Sequence, residues 1–377
     1  MDERLMKKCV GAPIPEWDQA HRLSINQPAG PEIKDLGTIF TINSTFMDVI
    51  DPGFLDRQWA IMAVLIAFLA MGIGPYVYIL THSDPAPAFW MFIFNGLAIL
   101  PVILFGSIVW NLGRGLFFGL PYRPIRFHRA SRTLYSIRAR RFFAKSGEGD
   151  VVWETPWNDD AIFCLHQEVT PFGTVFHIRH YTVDGQSNVT RVFSIGREWT
   201  SSQARLALAQ WNYWCMYMND GPHGLPKPML FHTQHETPRE SFLFSLYNFG
   251  MSAPLFMRLI AMPAVLTFTI MRMMANVTCR APVWPEAIAR ISVVAPDDLY
   301  AEPRASTPVG WAATVLARQR GDYPDDDHAR VADWTSEPDG LEYAASWLEN
   351  PIEASSARRD TSCSFGVLKS SLPPESK

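Results

Sequence analysis

The chain contains 377 residues, of which 48% are hydrophobic and 19% are charged, and its formal net charge is −4. The charged fraction is below the quarter or so that is usual in soluble domains, which disfavours an ordinary soluble protein. The small negative net charge argues against a globally basic nucleic-acid-binding protein, so we expect no nucleic-acid partner.

The cysteines form no recognisable framework. They are odd in number and scattered, and no two of them form a CxxC pair, so the sequence predicts neither a disulfide scaffold nor a zinc site. We expect reduced thiols, as in a cytosolic compartment. The cysteines are Cys9, Cys164, Cys215, Cys279 and Cys363.

Residues 1–58 are predicted to be a cytoplasmic N-terminal arm. The basic residues near the start are not followed by an apolar core, so the sequence predicts no cleavable signal peptide. Up to about residue 45 the arm is rich in Pro and Gly and lacks a steady period, which indicates loose order. Thr38–Ile50 is more apolar and is predicted to be a strand or a short helix leading into the membrane.

Residues 59–110 predict a two-helix transmembrane hairpin. Its spans are 59–80 and 88–110, and between Gln58 and Gly113 the only formal charge is Asp84. At about 1.5 Å per residue each helix covers the roughly 30 Å of a hydrocarbon core. The short link Thr81–Pro87 contains two prolines, so the two spans must run antiparallel.

The basic residues that follow the second span predict the orientation of the hairpin. No Asp or Glu interrupts them before Glu148, and the link between the spans contains no Lys or Arg. By the positive-inside rule this end is cytoplasmic, so we expect a bacterial inner-membrane protein with both termini in the cytoplasm. The residues are Arg114, Arg123, Arg126, Arg129, Arg132, Arg138, Arg140, Arg141 and Lys145.

Small and polar residues inside the spans predict packing against neighbouring helices. Small side chains at helical spacing let another helix approach closely, and Asn95 is polar at some depth in the bilayer, where such groups usually face protein. This leaves a homo-oligomer open. The small residues are Ala63, Ala67, Ala70 and Gly74.

Residues 114–222 predict a cytoplasmic domain of antiparallel strands closed by one helix. The helix begins near Trp199 and ends at Asn219-Asp220-Gly221-Pro222, a helix-ending sequence. The expected fold is therefore α+β, a transmembrane hairpin followed by a small pleckstrin-homology-like domain. The predicted strands are Pro124–His128, Arg132–Arg138, Val151–Trp153, Ala161–Val169, Thr174–Val183 and Val189–Ile195.

A third apolar segment lies at residues 242–276. On a helical wheel Arg258, Thr269 and Arg272 fall in one narrow sector, which predicts an interfacial helix with that stripe facing water. A single crossing is less favoured, because it would place the tail outside, and a re-entrant hairpin broken at Pro263 is the open alternative.

Residues 300–377 are rich in Pro, Asp, Ser and Ala, which predicts a mostly disordered tail. Short helices are expected near Val309–Arg318 and Gly340–Leu348.

The chain contains no phosphate-binding glycine loop, no GxSxG and no HExxH, the motifs that carry familiar catalytic machinery. We therefore predict no catalytic, cofactor-binding or metal-ligating residue, no cofactor and no enzymatic activity.

Several polar groups have the residue types of a metal or catalytic site. His232, His235 and Glu236, with His223 nearby, have a metal-like spacing but lie among prolines, which favours exposed loop histidines and leaves the role of these histidines open. Asn158-Asp159-Asp160 is typical of a turn. His177 and His180 lie on opposite faces of one strand and cannot share an ion.

The basic stretch 114–145 suggests contact with anionic lipid headgroups, which attract juxtamembrane Arg and Lys. The plainer interpretation is that these residues only set the topology and cover an exposed surface.

Five short motifs resemble a group of uncharacterised proteobacterial membrane proteins that is defined by a domain of unknown function. The resemblance covers roughly residues 40 to 290 and implies no catalytic residues. Some members are encoded near type VI secretion genes, which implies an accessory or immunity role. The motifs are Asn43–Ile50, Arg123–His128, Val152–Trp157, Trp214–Pro222 and Pro282–Pro285.

These observations predict a membrane-anchored binding or accessory protein whose partners are the lipid bilayer and a protein of unknown identity. The alternatives are a lipid-contacting structural scaffold and, less favoured, a membrane-associated enzyme or transporter.

Overall fold

The computed structural model describes residues 9–52, 54, 66, 68–82, 88–138, 150–170, 173–200, 204–228, 230–248 and 254–320. Within these ranges the fold is α+β, with nine strands in two antiparallel sheets. Strands and helices are numbered below in chain order.

The five-stranded sheet is a meander in the order β2-β3-β4-β5-β6. Its central pairing joins distant parts of the chain, since Met47 of β3 lies opposite Phe127 of β4. All four residues of β3 and all four of β4 are buried, so this pairing lies in the core. The strands are β2 (Ile39–Ile42), β3 (Phe46–Val49), β4 (Ile125–His128), β5 (Thr133–Arg138) and β6 (Val151–Pro156).

The four-stranded sheet has the order β1-β7-β8-β9. The loop between β8 and β9 is an Asx turn, because Oδ1 of Asp184 accepts hydrogen bonds from the backbone N–H groups of Gln186 and Asn188. The edge strand β1 pairs with β7, so the N-terminal segment completes this sheet. The strands are β1 (Arg22–Leu23), β7 (Ile162–Thr170), β8 (Gly173–Val183) and β9 (Val189–Thr200).

Helix α4 (Ala204–Asp220) contacts β8 and β9 of one sheet and β4 of the other. Trp211, Tyr213, Trp214 and Tyr217 on this helix are fully buried. The helix passes so close to β9 that a Cβ at Gly196 would lie 2.5 Å from the ring of Trp214. Glycine is needed there for this close approach.

A second apolar core joins three helices to the end of the five-stranded sheet. It contains Phe40, Phe244, Val265 and Trp311, from β2, α5, α6 and α8. The remaining helices are α1 (Glu16–Ala20), α2 (Gly74–His82), α3 (Ala88–Phe117), α5 (Pro238–Asn248), α6 (Leu255–Thr278), α7 (Glu286–Ile291) and α8 (Trp311–Arg320).

The prediction of a two-helix transmembrane hairpin is wrong. In the described part of the chain one helix is long and apolar enough to cross a membrane, and it is Leu255–Thr278. In the first predicted span a π-helical turn, Leu69–Ile73, interrupts the regular α-helix before the nine-residue α2. A hydropathy profile does not register this change of helix type in the first span.

Some residues of the predicted spans lie outside the described ones. They are 59–65, which include Ala63, together with Ala67 and the side chain of Asn95.

The prediction of a small domain closed by one helix is also wrong. The domain has two sheets. Residues 22–23 of the predicted loose arm supply β1, and Thr38–Ile50, predicted to be a strand or a short helix, supplies β2 and β3. The sequence of the arm did not suggest β1, because a two-residue strand shows no alternation.

Helix α4 begins at Ala204 rather than near Trp199, because β9 continues to Thr200. In the tail, α8 lies where a short helix was expected, and residues 321–377, including the helix predicted at 340–348, lie outside the described ones.

Candidate functional site

Helix α6 turns its polar stripe toward the protein. Arg258, Thr269 and Arg272 are only 3%, 7% and 1% exposed, although the sequence predicted that this stripe faces water. The helix also runs through Pro263 without a break, so the re-entrant alternative is wrong. The stripe could not be placed from the sequence, because its partners come from a distant segment.

A buried ion pair neutralises Arg272. Its Nε and Nη2 atoms donate to the two carboxylate oxygens of Glu236 at 2.6 Å each, and the guanidinium lies 4.0 Å from the ring centroid of Phe244. Asn276 and Ser241 also donate to the carboxylate, at 2.9 and 3.1 Å. Such bidentate, hydrogen-bonded pairs tolerate burial, and the role of Glu236 is therefore to hold α6 in place.

The opposite side of α6 is apolar and exposed. Together with the exposed apolar residues of α3, which contacts α6, it forms what we call the apolar face. On α6 these residues are Leu255, Phe256, Met257, Leu259, Ile260, Leu266, Ile270, Met274 and Val277. On α3 they are Phe89, Leu97, Ile99, Leu100, Ile103, Leu104, Ile108 and Trp110.

The distribution of side chains on α6 is the reverse of that on a surface helix. A helix at the surface of a soluble protein normally exposes its charged residues and buries its aliphatic ones. The two charges of α6 are Arg258 and Arg272, and both are buried. A charge-free face of this extent is typical of a protein or membrane interaction surface.

Glu240 lies near the Glu236–Arg272 ion pair and holds the start of α8. Its carboxylate accepts hydrogen bonds from the backbone N–H groups of Trp311 at 2.7 Å and Ala312 at 2.8 Å. Burial raises the pKa of Glu240 to about 7, against the lowering effect of these two hydrogen bonds. Burial therefore disfavours the charged form of this carboxylate.

The three histidines of the metal-like spacing do not form one site. His232 is buried, its Nε2 lies 2.6 Å from the carbonyl oxygen of Gly37, and burial lowers its pKa to about 4. His235 is exposed. His223 is also exposed, and its Nδ1 lies 3.1 Å from the hydroxyl of Tyr300. The prediction of exposed loop histidines is wrong for His232, because its loop is packed against β2.

A cavity of about 320 Å³ lies beside His223. It is lined by the segment from Pro222 to Pro228 and by Leu299, Tyr300 and Glu302. Nζ of the buried Lys227 lies 3.9 Å from Oε1 of Glu302, so an ion pair occupies the wall of this cavity.

The acidic turn near residue 159 has a structural role. Asn158, Asp159 and Asp160 are all exposed. Asn26 donates to the Asp159 carboxylate at 2.6 Å, and Arg22 donates to the Asp159 carbonyl oxygen at 3.1 Å. The turn thus ties the N-terminal segment to β7.

The basic stretch does not form one continuous lipid-facing patch. Arg126 is buried and pairs in bidentate fashion with Asp48, at 2.8 and 2.7 Å. Arg138 is buried as well, and Arg132 donates to the carbonyl oxygen of Met218. Several of these positive charges therefore make contacts inside the domain rather than at its surface. Residues 140, 141 and 145 and the side chain of Arg114 lie outside the described ones.

Sequence reasoning missed a group of titratable residues between α1 and the four-stranded sheet. His166 and Glu168 of β7 and His177 of β8 could hold a metal ion, and Asp18 of α1 bonds His166. We call these four residues the histidine cluster. The strand register that joins His166 to His177 was the missing signal, while His180 faces the core between Phe163 and Phe193.

The central part of the chain matches a known protein family. Residues 102–296, just over half of the chain, match the model of a family described as a family of unknown function (DUF6708). No curated protein and no solved structure matches. The match confirms the coarser part of the resemblance drawn from the motifs, a shared domain of unknown function.

Proposed function

The chain belongs to the DUF6708 family, whose function is unknown, and we propose a function for it from the apolar face. The protein is embedded in a membrane through this face and presents its two-sheet domain to a protein partner. The observation that carries the proposal is the orientation of α6, which buries both its arginines and exposes nine apolar side chains.

The energetics favour lipid as the neighbour of α6. Moving a fully exposed Leu, Ile, Phe or Met side chain out of water is worth about 1.5–3 kcal/mol. The nine exposed apolar residues of α6 are partly exposed, so their combined gain is on the order of 10 kcal/mol. The helix satisfies its own backbone hydrogen bonds, as lipid requires, and its 24 residues extend about 36 Å.

The buried ion pair removes the cost of placing Arg272 of α6 in lipid. An arginine near the centre of a membrane helix costs about 2.5–3.5 kcal/mol. Arg272 meets Glu236 inside the protein, so its charge does not face the acyl chains.

The remaining parts of the proposal depend on the sequence. The Arg and Lys residues between 114 and 145 favour a domain on the cytoplasmic side of the membrane. The resemblance to proteins encoded near type VI secretion genes favours a protein partner from that system, in an accessory or immunity role.

The experiment is membrane fractionation of bacteria that express the full chain. We expect wild-type protein in the membrane fraction, resistant to alkaline carbonate and released by detergent. The triple variant Leu259→Asp, Ile260→Asp, Leu266→Asp places three charges on the apolar face and should move most of the protein to the carbonate-soluble fraction.

Val169→Asp is the matched control for this experiment. Val169 is 79% exposed on β7, outside the apolar face, so its substitution should leave the protein in the membrane. A wild-type protein found in the soluble fraction, or a triple variant as carbonate-resistant as wild type, would contradict membrane embedding through this face. Co-purification from detergent extracts then tests for the protein partner.

A further inference from the structure

The histidine cluster brings three metal-binding side chains together on one sheet face. His166 and His177 are direct partners in the pairing of β7 with β8, and Glu168 follows two residues along the same face of β7. Each of these three residues offers one ligand atom, and the atoms lie within 4.8 Å of one another. His177 is fully buried, so the cluster reaches into the protein.

Asp18 orients His166 as the outer carboxylate of a metal site does. Nδ1 of His166 lies 2.9 and 2.8 Å from the two carboxylate oxygens of Asp18, and the hydroxyl of Tyr181 donates to the same carboxylate. A proton on Nδ1 leaves the lone pair on Nε2 of His166 available to an ion. Metal-binding histidines usually donate their other ring N–H to a carboxylate, a backbone carbonyl or water.

Two further atoms of the cluster are buried without a hydrogen-bond partner. They are Nδ1 of His177 and Oε2 of Glu168. Most buried polar atoms in folded proteins are hydrogen-bonded, so such an atom calls for an explanation. A bound cation would explain both, because a neutral imidazole nitrogen and a carboxylate oxygen are its ordinary ligands.

The positive charge of Arg179 weakens the attraction of the histidine cluster for a cation. Asp18 and Glu168 supply two negative charges, whereas Arg179 supplies one positive charge, with its Nη2 atom 3.3 Å from Nε2 of His177 and 4.0 Å from Glu168. If His177 binds an ion through Nδ1, its Nε2 carries the proton and repels this donor. Arg179 then turns toward the hydroxyl of Tyr181, which its Nη1 already approaches at 3.4 Å.

We propose that the histidine cluster is a site for a divalent first-row transition metal, with Zn²⁺ as the ion that suits it best. Nε2 of His166, Oε2 of Glu168 and Nδ1 of His177 bind the ion, and Asp18 supports His166 from behind. Two imidazoles and one carboxylate are typical ligands of zinc, and three protein ligands leave a position open for water or a further ligand. The site uses none of the residues of the apolar face, so it is independent of the proposed membrane function.

The experiment is metal titration of the full chain in detergent, purified without a polyhistidine tag and stripped with a chelator. We expect one equivalent of Co²⁺ to produce the visible absorption of a tetrahedral or five-coordinate ion, and Zn²⁺ to displace it. Isothermal titration with Zn²⁺ gives the affinity.

Variants separate the cluster from the other histidines. Asp18→Asn should weaken Zn²⁺ binding by about 10–100-fold, and His166→Gln and Glu168→Gln should weaken it further. Arg179→Met should strengthen binding, because it removes the opposing charge. His223→Gln and His235→Gln remove exposed histidines outside the cluster and should leave binding unchanged.

Circular dichroism of each stripped variant shows whether it is folded, and the partly exposed His166 and Glu168 are chosen because their substitution leaves the core intact. The proposal is overturned if folded wild-type protein binds no Co²⁺ or Zn²⁺ in one-to-one ratio. It is also overturned if folded His166→Gln and Glu168→Gln proteins bind Zn²⁺ as tightly as wild type.

Discussion

Helices α4 and α6 are both rich in apolar residues, but their surroundings differ. Helix α4 lies between the two sheets and buries side chains on all sides, including Gln210 and Asn212. Its polar groups bond the N-terminal segment, as Asn212 does with the carbonyl oxygens of Gly30 and Glu32. Helix α6 also turns both its arginines inward, but nine of its apolar residues are exposed.

The contrast shows that the polar residues of an apolar helix mark the side that faces protein. Protein on every side of α4 supplies partners in several directions, whereas α6 finds its polar partners on one side, at Glu236. The position of the polar groups therefore separates a core helix from a helix with one face open to another medium.

Replacement of a core residue of α4 should have the largest effect. Trp214→Ala removes a fully buried ring that packs on Phe127, with ring centroids 5.6 Å apart. We expect the free energy of unfolding to fall by about 3–5 kcal/mol, measured by chemical denaturation in detergent.

The matched substitution Trp110→Ala removes a ring that is exposed on α3, and it should cost far less than Trp214→Ala. Equal losses from the two substitutions would mean that protein also surrounds the apolar face.

Breaking the buried ion pair of α6 should have a comparable or slightly smaller effect. Glu236→Gln leaves Arg272 buried without its counter-charge, and we expect a loss of about 3–5 kcal/mol. The double variant Glu236→Gln, Arg272→Met should recover much of that loss, because it removes the uncompensated charge.

The exposed pair Glu286–Arg290 on α7 provides the control for the buried pair. Glu286→Gln should change the free energy of unfolding by only about 0.3–0.5 kcal/mol. If Glu236→Gln is as mild as this control, Arg272 must be solvated and α6 does not bury its polar stripe.

The orientation of α6 illustrates how much of this molecule could be predicted from its sequence. The strands from Ile125 to Thr200 could be predicted, because alternating residues and turn sequences are local signals. The inward orientation of the polar stripe of α6 could not be predicted, because Glu236 lies 36 residues from Arg272 in the chain. A hydropathy scale also assigns every arginine to water, whatever its partner. The pairing of β3 with β4 was hidden for the same reason, since Asp48 and Arg126 are 78 residues apart.

The candidate sites were less predictable than the strands. His177 could be identified as a strand residue, but its opposition to His166 depends on register, and Asp18 comes from the segment predicted to be loosely ordered. The buried position of His232 depends on its bond to Gly37, 195 residues away in the chain. Spacing along the sequence carries no information about such contacts.

Glu240 gives the interior beside α6 a pH dependence. Its pKa is raised by burial from 4.5 to about 7 in the folded state, so between these values the folded protein holds a proton that the unfolded chain releases. Stability should therefore fall as the pH rises from about 4.5 to about 7, by on the order of 3 kcal/mol at 1.36 kcal/mol per pKa unit.

Glu240→Gln should flatten this part of the pH profile, and the measurement is unfolding at several pH values for both proteins. The charged groups that face Glu240 are Glu236 and Arg272, so Glu286→Gln, on exposed α7, should keep the wild-type profile. A Glu240→Gln protein with the wild-type slope would assign the pH dependence to other groups.

The smallest expected effect comes from the exposed face of α6. Ile260 is 60% exposed, and Ile260→Ala should change the free energy of unfolding in detergent by less than about 0.5 kcal/mol, as for other exposed residues. Truncation of Val265 to Ala, on the buried side of the same helix, should cost more, because it opens a cavity against the second core. Denaturation of the two variants side by side measures the asymmetry of α6 within one helix. A larger loss for Ile260→Ala than for Val265→Ala would mean that the helix packs on the protein through the opposite side, and the apolar face would then no longer be the surface that meets lipid.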